Sequence, residues 1–193
     1  MSKNAIVGQS GGPTAVINAS LAGVFQVAAR RGAKHIYGMC NGVQGLLEER
    51  YVDLSNHLHS ALEIELLKRT PSSFLGSCRY KLPDPEKDPA TYEKLFAILR
   101  KLEIGYFFYI GGNDSMDTIE KLSDYAKATG STIQFMGVPK TIDNDLLVTD
   151  HTPGYGSAAK YIGVVMKELV RDATVYDANY VTVVEIMGRN AGW

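Results

Sequence analysis

The sequence predicts an α/β protein in which a parallel sheet is covered by helices on both faces, giving three αβα layers. Short apolar, β-rich runs alternate with longer helical patterns, the order that builds βα units around such a sheet. The run Tyr106-Phe107-Phe108-Tyr109-Ile110 is apolar without alternation, as a central strand covered on both faces requires. Many of the 19 glycines fall between a strand and a helix, where the backbone must bend tightly or approach a ligand.

Strands are expected at residues 5–7, 35–39, 106–110, 132–137 and 180–186. The first helix should cover 15–31, because Ile17, Leu21, Val24 and Ala28 recur on one face and Gly32 suits its C-terminal end. Asp88-Pro89 supplies an N-cap and a proline for the first helical position, and Leu95, Phe96, Leu99 and Leu102 form the stripe to be buried. Ser115 is placed to cap a helix running through Ile119, Leu122 and Ala126 before Gly130. A last helix after Gly154 should turn Ala158, Ile162, Val165, Met166 and Leu169 inward. Neither an internal repeat nor a low-complexity linker interrupts this order.

At 193 residues the chain can bury a real core. Its 45% apolar and 21% charged residues are ordinary for a globular protein. A net charge of −1 gives no global attraction for nucleic acid or an anionic membrane, so neither is expected as a partner and any anionic ligand must be caught locally. Cys40 and Cys78 lie far apart and outside metal-ligand spacings, and no run is long enough to span a bilayer, so a reduced, cytoplasmic protein is expected. The sequence stops at Met187-Gly188-Arg189-Asn190-Ala191-Gly192-Trp193, in a segment that reads as a functional loop. A fragment is therefore expected: residues 1–150 as one α/β domain and 151–193 as the truncated beginning of a second. A complete small domain with a polar tail is the alternative.

Three turns carry the candidate chemistry. Gly8-Gln9-Ser10-Gly11-Gly12-Pro13-Thr14 lies between the first strand and first helix, where backbone amides and the positive helix end can converge on a phosphate. A plain tight βα turn would have a similar composition. Gly111-Gly112-Asn113-Asp114-Ser115 repeats the arrangement at another helix start. In an open α/β sheet both turns belong to the carboxyl edge, where ligands bind. Pro139-Lys140-Thr141-Ile142-Asp143-Asn144-Asp145 follows the next strand and brings a cation, a hydroxyl and two carboxylates to that edge. Phosphoryl transfer to an alcohol needs those groups: charge for the moving phosphoryl group, a metal ligand and a base for the hydroxyl. A solvated acidic turn is the bland alternative. Arg79 and Arg189 are loop arginines near glycine, suited to forked binding of phosphate oxygens, although such residues are commonly surface ion-pair partners. His35, His57, His59 and His151 read as edge or surface residues, and Cys78, with no paired base, as a packing residue.

The succession of SGGP with Asn18, GVQGL at 42–46, GSCR at 76–79, GGNDS, PKTIDND, GYGSA at 154–158 and MGR resembles the 6-phosphofructokinase family, in order and over essentially the whole chain. PKTIDND and MGR in that order are its most specific part. A diacylglycerol- or nicotinamide-nucleotide-kinase reading would account for GGNDS alone. The resemblance implies the phosphofructokinase fold of two stacked α/β domains, the second incomplete here, with remaining sugar-phosphate contacts beyond Trp193 and no activity in these residues alone. It also implies roles. Gly11, Gly12, Gly112, Asp114, Ser115 and Lys140 would lie at the phosphoryl donor, and Arg79 would bridge donor and acceptor. Thr141, Ile142 and Asp143 would meet the sugar, with Asp143 as catalytic base and Asp145 supporting the charge arrangement. Met187, Gly188 and Arg189 would hold fructose 6-phosphate, and Asn113 and Asp114 would serve Mg2+.

Two positions bear on the donor. ATP-using bacterial members carry glycine where this chain has Asp114 and Lys140, whereas pyrophosphate-using members resemble it. A carboxylate at 114 would crowd and repel the inner phosphate of ATP, and Lys140 would restore favourable charge around a small pyrophosphate. The resemblance therefore implies a pyrophosphate-dependent phosphotransferase acting on fructose 6-phosphate, Mg2+-dependent and a homo-oligomer when complete. The alternatives are an ATP-dependent 6-phosphofructokinase and a non-catalytic regulatory subunit of the same fold. Asn113 stands where the commoner motif has a metal-serving aspartate, and Tyr180 where ATP-using tetramers place an arginine that reaches a neighbouring subunit's sugar phosphate.

Overall fold

The computed structural model describes residues 3–188. The chain divides into two compact units, one ending at Lys140 and the other beginning at Thr141, so the split falls inside PKTIDND.

The first unit holds five strands: β1 (Asn4–Gln9), β2 (Ile36–Met39), β3 (Tyr51–Asp53), β4 (Ile104–Gly111) and β5 (Gln134–Pro139). They form one sheet in the order β3-β2-β1-β4-β5. β1 runs parallel to β2 and β4, and β4 parallel to β5. The expected parallel sheet thus gains one antiparallel member, the three-residue β3, which pairs with β2 at the edge. So short a strand carries no alternation from which to read it.

Both faces of the sheet are packed, because successive side chains along a strand point to opposite sides. On one face Ile6, Met39, Phe107 and Tyr109 meet α2 (Gly42–Leu47), α4 (Pro89–Lys101) and α5 (Asn113–Ala128). On the other Ala5, Val7, Ile36 and Ile110 meet α1 (Ile17–Arg30) and Leu67 of α3 (Ala61–Arg69). The stripe read for α4 is fully buried, and Asp88 caps that helix by accepting from the Thr91 amide. Each large apolar side chain so buried contributes about 1.5–3 kcal/mol. Cover is incomplete towards β5: Tyr106, expected inside a strand covered on both faces, is 43% exposed. α1 packs over β1, β2 and the Ile110 end of β4, and Tyr106 and Met136 remain open.

The second unit contains α6 (Tyr155–Ala173), which starts after Gly154 as expected. None of its side chains is fully buried, and Leu169 of the expected inward stripe is exposed. The run 180–186 forms no strand, and Val181 and Val183 are exposed. A strand exists through hydrogen bonds to a neighbour, and among the described residues of this unit there is no named strand to pair with it.

Candidate active site

The strand order places the site. From β1 the chain moves outward to β2, and from β4 it moves the other way to β5, so the topological switch lies between β1 and β4. Loops leaving the carboxyl ends of strands at such a point are where open α/β sheets bind ligands. The β1–α1, β4–α5 and post-β5 segments, the three that the sequence marked, leave from that edge.

Gly11 turns through the left-handed region, φ +73°. A Cβ at Gly11 would lie 3.3 Å from Lys140 Nζ and about 4.0 Å from the Gly112 amide nitrogen, so the two glycine turns and the lysine are immediate neighbours. Lys140 is 4% exposed, its Nζ donates to the Gly12 carbonyl at 2.5 Å, and its own amide donates to Gly111 O at 2.9 Å. A cation buried beside two glycine turns supplies strong, fixed positive charge where a phosphate could approach the backbone. A side chain on Gly12 would meet nothing, so that face of the turn is open.

Ser115 is not the cap of α5. Gly112 occupies the cap position, and Ser115, in the first turn, points inward to place its Oγ 2.5 Å from Ser10 Oγ. That pair ties the two glycine turns together and explains Gly111, where a Cβ would come within 2.0 Å of Ser115 Oγ. Beneath it the Tyr109 hydroxyl accepts from Val43 N at 3.2 Å and lies 3.5 Å from Cys78 Sγ. Burial, then the neighbouring Cys78, drive the Tyr109 phenol well above its ordinary range and keep it protonated.

Arg79 is exposed and follows directly on the residues stitched to Gly11. The Gly11 amide donates to Cys78 O at 3.1 Å, and Ser77 Oγ donates to Gly11 O at 2.5 Å. Asn113 and Asp114 open α5, and the Asp114 carboxylate lies 3.4 Å from Lys81 Nζ, both side chains being about three-quarters exposed. No motif pointed to Lys81; only its position two residues after Arg79 could have drawn notice. One exposed carboxylate with an amide oxygen beside it does not cage a cation, and the described residues hold no group of three or more metal-ligating acids, histidines or cysteines. The donor set fits Mg2+ in its phosphoryl-transfer role, where one or two protein oxygens are joined by substrate phosphates and water.

In the second unit, Thr141 bridges to Gly154 and its amide donates to Pro153 O at 3.0 Å. Its hydroxyl accepts from the Asp143 amide at 3.0 Å, closing a tight turn that holds Asp143 half-buried between Ile142 and Asn144. Asn144, at φ +54°, accepts from the Thr152 amide through Oδ1 at 2.9 Å, and Asp145 is exposed. A hydroxyl and a carboxylate are thus fixed on one small turn. Met187 is exposed, Gly188 takes φ +135°, and Arg189 lies outside the described residues. His35 is committed elsewhere, 2.7 Å from Asp53 at the far edge of the sheet.

A family model described as Phosphofructokinase matches residues 4–193. A pyrophosphate–fructose 6-phosphate 1-phosphotransferase of Xanthomonas campestris pv. campestris (strain B100) is 48% identical over 98% of this chain and 45% of its own length. The protein of the same name from Methylococcus capsulatus (strain ATCC 33009 / NCIMB 11132 / Bath) is 45% identical over 99% of this chain and 46% of its own. Among solved structures, the pyrophosphate-dependent phosphofructokinase of Nitrosospira multiformis superposes with a TM-score of 0.81 at 45% identity, over 90% of this chain and 42% of that one. The chain spans about half the length of the curated relatives it matches. A match over nearly every residue places the chain in the phosphofructokinase family.

Proposed function

We propose that the full-length protein transfers a phosphoryl group from pyrophosphate to the 1-hydroxyl of fructose 6-phosphate. The observation that carries this reading is the seating of Lys140 against Gly11 and Gly12, a small cationic cradle at the ligand-binding edge of the sheet. Asp114 supports pyrophosphate over ATP, since it opens the helix that follows the Gly111-Gly112 turn, where a carboxylate would repel the inner phosphate of ATP. The names of the relatives agree with that choice. The donor phosphates lie against the bare Gly11 backbone and on the Gly12 and Gly112 amides, with Ser115 holding the two turns together. The donor domain would then be the unit ending at Lys140, and the sugar-phosphate domain would begin at Thr141, ten residues earlier than the boundary at 150/151 read from the sequence.

In the reaction Asp143 accepts the proton of the sugar 1-hydroxyl as that oxygen attacks the distal phosphorus. The bridging P–O bond breaks and orthophosphate leaves. Thr141 and Ile142 orient the sugar, Asp145 supports the charge arrangement, Arg79 stabilises the phosphoryl group in passage, and Met187, Gly188 and Arg189 hold the 6-phosphate. Mg2+, held by Asp114 and Asn113 with the donor phosphates, would neutralise charge on the donor. A cytoplasmic homo-oligomer completes the proposal.

The test is steady-state turnover of the full-length protein on fructose 6-phosphate, with pyrophosphate or ATP at equal Mg2+. Pyrophosphate should give the higher kcat/KM. A preference for ATP replaces the donor assignment, and absence of turnover with both overturns the enzyme reading.

A further inference from the structure

Residues 70–80, between α3 and α4, contain no helix or strand, yet they carry Arg79. Irregular chain holds a side chain in place only if its backbone groups find partners elsewhere. Asn41 and Gly11 bind the second half of this segment, and the partners of its first half are two side-chain amides flanking the SGGP turn, Gln9 and Asn18, which are 0% and 1% exposed.

Asn18 Nδ2 donates to Thr70 O and Ser72 O, both at 2.9 Å, and its Oδ1 accepts from the Phe74 amide at 2.9 Å. Gln9 Oε1 accepts from the Leu75 amide at 2.9 Å and lies 2.8 Å from Ser73 Oγ, whose one proton it shares with Gly76 O at 2.7 Å. Gln9 Nε2 donates to Ile17 O at 3.1 Å and to Asn18 Oδ1 at 2.9 Å, joining the two amides to each other. Each side chain therefore uses its full capacity of two donated and two accepted bonds, one of those that Gln9 accepts being the shared Ser73 proton. Reversing either amide would set N–H against N–H or oxygen against oxygen, so the network fixes both orientations. Past this clamp the strap is sewn to Gly11 through Ser77 and Cys78, and the next residue is Arg79.

A pair of apolar side chains would fill the same interior but leave residues 70–74 without these bonds, held only further along by Asn41 at Leu75 O and Ser77 O and by Gly11. The buried amides instead bind the strap to the two ends of the same ten-residue segment, 9–18, that forms the first phosphate turn. We propose that Gln9 and Asn18 are positioning residues for Arg79, locking residues 70–78 so that guanidinium and phosphate turn are presented at a fixed separation. The inference rests on the reading of Arg79 as a phosphoryl-contacting residue.

Asn18→Asp keeps the volume but turns an oxygen towards Thr70 O and Ser72 O. In the full-length protein it should lower kcat by a factor on the order of 10², the scale of a small misplacement of a catalytic group, with KM for fructose 6-phosphate changing less than about threefold. Arg79→Lys weakens the reaction on its own. If Asn18 acts through Arg79, the double variant is slower than Arg79→Lys by no more than about threefold, whereas effects that multiply overturn the proposal. Ser73→Ala, at a half-exposed position, serves where Asn18→Asp fails to fold; it should slow turnover about fivefold and show the same non-additivity. Turnover within about twofold of wild type in a folded variant also overturns it. The cycle uses whichever donor the wild type accepts, so a wrong donor assignment leaves it intact. Hydrogen exchange separates the two readings if the wild type transfers no phosphoryl group at all. The Phe74 and Leu75 amides should then exchange faster in either variant while β1 and β4 stay protected, and unchanged exchange removes the clamp.

Discussion

At Lys140 a single side chain joins the proposed donor chemistry to local backbone geometry, and its replacement tests both. Lys140→Met removes the cation beside Gly11 and Gly12 and should lower pyrophosphate turnover by a factor on the order of 10², the usual effect of losing one preorganised electrostatic contact. Asp114→Gly should act in the opposite sense on donor choice, raising kcat/KM for ATP relative to pyrophosphate, and it also releases Lys81 from its 3.4 Å contact. Because the turns bearing both positions adjoin, the double variant should shift the ratio by more than the product of the singles. An unchanged ratio in Asp114→Gly sinks this account of donor choice. Asp143→Asn cannot accept the hydroxyl proton and should lose about 10²–10⁴-fold in kcat with its turn intact, since the backbone bond to Thr141 remains. A loss below about tenfold would remove Asp143 from that role. Gly11, Gly112 and Lys140 were legible in sequence because a glycine pair after a strand is a local signal. Lys81 was not, since its ion pair joins positions 33 residues apart that no spacing rule connects.

The elements show the same division between local and tertiary causes. α4 was read with its cap and stripe because Asp88-Pro89 and the apolar spacing are contained in one window of chain. α3 was not expected, although Ser60 and Glu63 form a complete capping box, because Leu67 is its one fully buried residue and its stripe is thin. The start of α5 was misjudged for a tertiary reason: Ser115 has the chemistry of a cap, but Ser10, 105 positions earlier, draws its hydroxyl inward. Residues 180–186 have strand composition without a strand, since composition supplies the side chains and only a neighbour supplies the ladder. Gly111 follows from these contacts. An alanine there would press its Cβ into Ser115 Oγ and Ser10 Oγ, forcing apart the hydroxyl pair that links the β1–α1 and β4–α5 turns. Gly111→Ala should therefore destabilise the first unit by about 1–3 kcal/mol, read as a lowered Tm, and should lower pyrophosphate turnover as the turns separate. Neutrality in both measurements would show that the pair can shift without consequence.

The two units differ in what sustains them, and this difference is measurable in the 193-residue chain. The first has a sheet with a packed core on each face, so its central strands open only when the whole unit unfolds. For a domain of ordinary stability that opening costs about 5–15 kcal/mol. The second has α6, of 19 residues, with no fully buried side chain. A helix with so little tertiary burial depends chiefly on its intrinsic propensity, and even alanine-rich helices become marginal in water below about 12–15 residues, a length that α6 exceeds by little. Its Gly156 and Gly163 each cost about 1 kcal/mol relative to alanine, and its several β-branched residues weaken it further. Local opening of α6 should then lie several kcal/mol below global opening of β1 and β4, and every 1.4 kcal/mol is about tenfold in exchange rate. Amides of α6 should accordingly exchange at least about 10²-fold faster than those of β1 and β4 under conditions where exchange follows the opening equilibrium. Circular dichroism should register the same asymmetry on heating, with helical signal lost gradually before the cooperative transition of the first unit. Protection of α6 equal to that of β4 would contradict this division and would mean that the helix and the sheet unfold together as one cooperative body.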